Sequence, residues 1–184
     1  MFEIRWHARA GQGAVTAAKA LADAAIAEGK HIQAFPDYGP ERMGAPIRAY
    51  NRISDEPIRA RGIVEHPKVI IIVDPSLAGA EVIEGAEDDS VFIVNSAKSP
   101  EEAKKVLGVK GAVYTVDASR IAQDTIGLRK PNTPMLGAVA KVTGVIQLDT
   151  LLNETEKSFG NKFKRQVVEG NLEAIRRAFE EVKG

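Results

Sequence analysis

Ile4-Arg5-Trp6-His7-Ala8-Arg9-Ala10-Gly11-Gln12-Gly13-Ala14-Val15-Thr16-Ala17-Ala18-Lys19 reads as a strand, a tight glycine turn and the start of a helix. Residues 4–7 supply the strand. Past the turn, Val15, Ala18, Leu21, Ala22, Ala25 and Ile26 recur at helical spacing, which predicts a helix over 15–28. Its many alanines give strong helix propensity and a thin side-chain layer that lets a helix lie close to a sheet. Gly29 suits the C-terminal cap. At such a junction the backbone amides point outward at the positive end of the helix dipole, a place where phosphate groups bind. Helix–sheet packing alone also calls for a turn of this kind, so both readings stay open here.

Working outward, residues 32–35 read as a second strand. The stretch 36–46, Pro36-Asp37-Tyr38-Gly39-Pro40-Glu41-Arg42-Met43-Gly44-Ala45-Pro46, holds three prolines and two glycines and is expected to lack regular structure. Residues 47–53 alternate apolar and polar, as a strand with one exposed face does, and residues 58–63 are expected to pair back at the edge. Val69-Ile70-Ile71-Ile72-Val73 is apolar throughout and fits the middle of a parallel sheet. Residues 91–94 and 112–116 are further strands. Ser99-Pro100-Glu101-Glu102 and Asp117 carry helix-start chemistry. Asn132-Thr133-Pro134 opens another helix, and two amphipathic helices follow near 150–159 and 163–182. Strands alternating with helices predict a single α/β domain over 1–184. The expected architecture is a Rossmann-like three-layer α/β/α sandwich with a mostly parallel sheet and some antiparallel edge strands. The last two helices, about 150–184, are expected to pack as a C-terminal extension.

Composition narrows the chemistry. The 184 residues are 44% hydrophobic and 27% charged, with 25 basic and 25 acidic side chains, so nothing calls for a nucleic-acid partner. No cysteine is present, which removes thiolate nucleophiles, disulfides and cysteine-ligated iron–sulfur clusters from this chain. No apolar run approaches membrane-spanning length, and a cytoplasmic location is expected. Gly11 and Gly13 are followed by Thr16 where a dinucleotide fingerprint needs a third glycine, and no Gly-Lys-Ser or Gly-Lys-Thr occurs. NAD and ATP are therefore poor fits. His7, His31 and His66 are scattered, with His7 at a strand end and best read as packed or surface. No catalytic residue and no metal ligand set is expected on this chain.

The Gly11-Gln12-Gly13 turn with Thr16, then Phe35-Pro36-Asp37-Tyr38-Gly39-Pro40-Glu41-Arg42-Met43-Gly44-Ala45-Pro46, then Asn132-Thr133-Pro134-Met135-Leu136-Gly137, resemble the gamma subunit of pyruvate and related 2-oxoacid:ferredoxin oxidoreductases. The segments fall in the family's order over nearly the whole chain. Ala8 and Ala10 depart from it, standing where many members have glycine. The resemblance implies a complex that decarboxylates a 2-oxoacid, pyruvate first among candidates, to acyl-coenzyme A while reducing ferredoxin. It implies that thiamine diphosphate, magnesium and iron–sulfur clusters sit on alpha, beta and ferredoxin-like delta partners. This chain would then cover the thiamine cleft and help bind coenzyme A. Gly11, Gln12, Gly13, Thr16, Lys19 and Arg42 are the candidate phosphate-binding or cleft residues. Tyr38, Gly39, Pro40, Glu41, Gly44 and Asn132 form the candidate docking loop and cleft wall. Two alternatives remain: a structural subunit that only holds such a complex together, and a gamma subunit serving 2-oxoisovalerate or 2-oxoglutarate.

Overall fold

The computed structural model describes residues 1–38 and 44–184. Six strands, β1 (Phe2–Arg9), β2 (His31–Tyr38), β3 (Pro46–Ser54), β4 (Val69–Ile72), β5 (Val91–Asn95) and β6 (Ala112–Val116), form one sheet in the order β2-β3-β1-β4-β5-β6. β1, β4, β5 and β6 pair in parallel, whereas β3 is antiparallel to both β1 and β2. From β1 the chain crosses to β2 at the edge, comes back to β3 beside β1, and then passes to β4 on the other side of β1. β1 and β4 therefore flank the point where strand order reverses, and ligands of open α/β sheets bind outside the carboxyl ends of strands at such points.

Among the described residues, seven α-helices accompany the sheet: α1 (Ala14–Ala27), α2 (Ala80–Ile83), α3 (Pro100–Leu107), α4 (Ala118–Ile126), α5 (Asn132–Thr143), α6 (Leu148–Gly160) and α7 (Arg165–Glu181). The period-two alternation of strand side chains sorts the core into two clusters. Ile4, Trp6, Ala8, Ala49, Ile71 and Ile93 point to one face, where they meet Leu21 of α1, Met135 of α5, Leu151 of α6 and Ile175 of α7. Ile70, Ile72, Phe92 and Val94 point to the other and meet Ala103 and Leu107 of α3 and Val82 of α2. The alanine-rich stripe of α1 buries Ala14, Ala17, Ala18, Ala24 and Ala25. Asn51, fully buried on β3, fastens this helix to the sheet: it accepts from Trp6 Nε1 at 2.8 Å and donates to Ala18 O at 2.8 Å.

The caps follow their sequence signals. Ser99 and Glu102 form a reciprocal capping box at α3, and Asp117 accepts from the Arg120 amide at α4. Two expectations are corrected. Residues 58–63 form no strand. Their carbonyls serve side chains of the sheet instead: Ala60 O accepts from Gln33 Nε2 and Ile63 O from Arg52 Nη2. Regular structure also reaches further into the proline-rich stretch than expected. Pro36, Asp37 and Tyr38 continue β2 opposite Ala49, Arg48 and Ile47. β2 is the edge strand, where a missing N–H costs least.

Candidate functional site at the glycine turn

The turn after β1 needs two left-handed residues. Gly11 has φ 94° and Gly13 φ 82°, and a side chain is strained at either. Ala8 and Ala10 need no such freedom, because every non-glycine residue described keeps a negative φ. Gly13 is also tightly packed: a Cβ there would lie 2.8 Å from Cγ and Nδ2 of Asn132, the first residue of α5. Two of the three segments that carry the family resemblance thus meet in space, although 119 positions separate them in sequence.

The α1 N-terminus is open. No side chain caps it, and its first turn contains no acidic residue. The amides of Ala14, Val15 and Thr16 have no intrahelical acceptor and lie at the positive end of the helix dipole. Gly11 and Thr16 are exposed, Gln12 and Gly13 partly so. Thr16 makes no capping bond, and Lys19 lies one turn further along, exposed to solvent.

Arg9 and Asp74 complete the site. Gln12 Oε1 accepts from the Arg9 amide at 2.8 Å, and Gln12 Nε2 donates to Asp74 Oδ2 at 2.6 Å. Asp74, just beyond β4, also accepts from the Ser76 amide at 2.9 Å and lies 3.4 Å from Arg9 Nε. Burial alone would raise the Asp74 carboxyl; hydrogen bonds from Ser76 and Gln12 and the Arg9 charge outweigh it and hold the group below its ordinary range. The turn is thereby fixed to the neighbouring strand end across the switch point. Both residues escaped the sequence reading. Arg9 lies beyond the strand read over 4–7 and Asp74 beyond the apolar run 69–73, and their meeting depends on the parallel pairing of β1 with β4.

The second special stretch begins beside this network. Ala10 N donates to Ala45 O at 2.8 Å, and Arg9 Nη1 donates to Gly44 O at 3.1 Å. Gly44 has φ 79°, and the Tyr38 backbone closes β2. Gly39, Pro40, Glu41 and Arg42 lie outside the described residues. Gly11, Gln12, Gly13, Gly44 and Asn132 are thus brought to one end of the sheet. Among the described residues, no three His, Asp or Glu side chains are grouped to hold a metal ion, and no helix is long and apolar enough to cross a membrane.

Comparison with known proteins shows the family and the fold. Residues 3–181 match the family model described as pyruvate ferredoxin/flavodoxin oxidoreductase. The chain is 49% identical over 182 residues to pyruvate synthase subunit PorC of Thermotoga maritima, covering 99% of this chain and 95% of that protein. It is 44% identical over 185 residues to the pyruvate/ketoisovalerate oxidoreductases common subunit gamma of Pyrococcus abyssi, covering 100% and 98%. The crystal structure of pyruvate oxidoreductase subunit PORC from Thermotoga maritima superposes with a TM-score of 0.90 at 46% identity, covering 99% of this chain and 97% of that one.

Proposed function

The chain belongs to the pyruvate ferredoxin/flavodoxin oxidoreductase family, and from that premise we propose that it serves as the gamma subunit of a 2-oxoacid:ferredoxin oxidoreductase, pyruvate being the first-choice substrate. In this reading the chain works in a cytoplasmic complex with alpha, beta and ferredoxin-like delta subunits. Those partners hold thiamine diphosphate, magnesium and the iron–sulfur clusters. This chain has no cysteine with which to bind a cluster of its own. Its contribution is to cover the thiamine cleft and to hold the phosphate groups of coenzyme A.

The observation that carries the coenzyme A reading is the uncapped, acid-free N-terminus of α1 at the topological switch point. Gly11, with nothing within 4 Å of its Cβ position, lets backbone approach a ligand closely, and Gly13 makes room for Asn132. Gln12, fixed by Asp74 and Arg9, keeps the turn in one shape. Asn132 forms the wall beside Gly13. Arg42 is placed in this reading by sequence alone, as a guanidinium able to grip phosphate through two parallel hydrogen bonds.

Arg42→Ala in the assembled enzyme tests it. The Michaelis constant for coenzyme A should rise roughly ten- to a hundredfold, the equivalent of one charge-assisted hydrogen bond. The half-reaction that decarboxylates the 2-oxoacid and reduces the clusters should change little. Arg42→Lys should recover part of the loss. If Arg42→Ala leaves coenzyme A kinetics intact and instead dissociates the subunits, the chain is a structural subunit. A second reading concerns substrate range: the 44% identity to a subunit common to pyruvate and ketoisovalerate enzymes favours one gamma chain serving more than one oxidoreductase. Recovery of this chain with two distinct sets of partners would establish it.

A further inference from the structure

We propose that a cleft on the opposite face of the sheet from α1, between the ends of β1 and β3 and the segment that runs into α2, binds the oxyanion group of a small molecule, a carboxylate or a phosphate. The cleft has a volume of about 140 Å³, and His7, Asp37, Arg48, Glu81 and Val82 are among the residues that line it. It uses none of the residues placed in the coenzyme A site above.

Two buried side chains mark it. Arg5 is 2% exposed, and no carboxylate lies within 4 Å of its guanidinium among the described residues. Its donors go to the carbonyls of Val82 and Glu84 and to His7 Nε2, the last at 3.0 Å. Arginine Nε always carries a hydrogen. His7 Nε2 must therefore be the acceptor, which places the imidazole proton on Nδ1. His7 is 4% exposed, and no described residue accepts from Nδ1. Burial, reinforced by the charges of Arg5 and Arg48, keeps the ring neutral, with its pKa lowered to about 3. His7 is therefore a fixed, neutral N–H donor on the cleft wall, with no acceptor among the described residues.

Arg48 stands directly across from His7 in the β1–β3 register, which adds a guanidinium to the same wall. Among the described residues its one carboxylate contact within 4 Å, Glu84, is 3.9 Å away and largely exposed. A small oxyanion would take the His7 Nδ1–H and an Arg48 N–H, with the Arg5 charge close behind in a poorly hydrated wall. The rim carboxylates limit the affinity without closing the site. Asp37 already accepts from Tyr50 Oη at 3.2 Å, and Glu81 is an exposed residue in the short helix α2.

Titration of the full chain with inorganic phosphate and, separately, with sodium acetate tests this, followed through the imidazole and arginine Nε resonances in nitrogen-edited spectra. One of the two anions should shift the His7 and Arg5 signals saturably, and which one does so identifies the chemistry. Arg48→Met should weaken that binding by about tenfold or more, since it removes a charge-assisted contact. Glu81→Gln, an exposed change that leaves the fold intact, should tighten it. The proposal is overturned if neither anion shifts His7 saturably up to about 100 mM, a weak limit even for a single charge-assisted contact, or if the Arg48→Met and Glu81→Gln chains titrate like the wild type.

Discussion

Gly137→Ala should destabilise the chain by about 3 kcal/mol or more. Gly137 lies in α5 where that helix crosses α7, and a Cβ there would sit 2.0 Å from Ile175 O and 3.0 Å from Phe179 N. Both atoms are backbone, so no rotamer change relieves the clash and α7 must move as a body. That helix cannot shift cheaply, because Ala174, Ile175 and Ala178 are fully buried against the main core. The midpoint of urea denaturation should fall accordingly. Gly160→Ala is the matching control: nothing lies within 4 Å of its Cβ position, and the change should be neutral or stabilising by up to about 1 kcal/mol. Equal midpoints for the two variants would mean that the α5–α7 crossing is looser than the geometry requires.

Acid should expose the second large effect. His7 is held neutral in the folded chain, with its pKa lowered from 6.5 to about 3, first by burial and then by the charges of Arg5 and Arg48. The unfolded chain binds the proton more readily than the folded one. The His7 contribution is therefore fully present above about pH 6.5 and is lost as pH falls toward about 3. By linkage the loss should reach about 2–3 kcal/mol at about pH 4.5 and roughly 4 kcal/mol at the acid end. His7→Gln keeps an acceptor for Arg5 and does not titrate. The difference in stability between this variant and the wild type should change with pH by those amounts, whereas the carboxylates contribute equally to both chains and cancel. A pH-independent difference would mean that His7 is hydrated, and the cleft it lines would then lack its fixed donor.

Much of the fold was legible in local pattern. Gly11 and Gly13 announce a turn, alanines at helical spacing announce α1, and the run from Val69 to Val73 announces a strand covered on both faces. The proline-rich stretch was harder to read. Pro36 usually ends a strand, yet at an edge its missing N–H leaves the ladder intact, and β2 runs on to Tyr38. Residues 58–63 have strand-like composition but lie where Gln33 and Arg52 need acceptors, and tertiary demand overrode propensity. In the site, Gln12, Gly13 and Asn132 carry sequence signals. Arg9, Asp74 and the pairing of Arg5 with His7 carry none. Their roles arise from which strands are neighbours and from the alternation that sends Arg5, His7 and Arg9 to the face away from α1.

In the proposed function, coenzyme A phosphate meets the open start of α1. Amide hydrogen exchange of the assembled oxidoreductase, with and without saturating coenzyme A, tests it most directly. Exchange should slow at residues 14–16, whose amides have no acceptor within the helix. The buried middle of α1 should be unchanged. Unaltered exchange at residues 14–16, under conditions where coenzyme A saturates turnover, would contradict the claim and leave this chain a structural member of the complex.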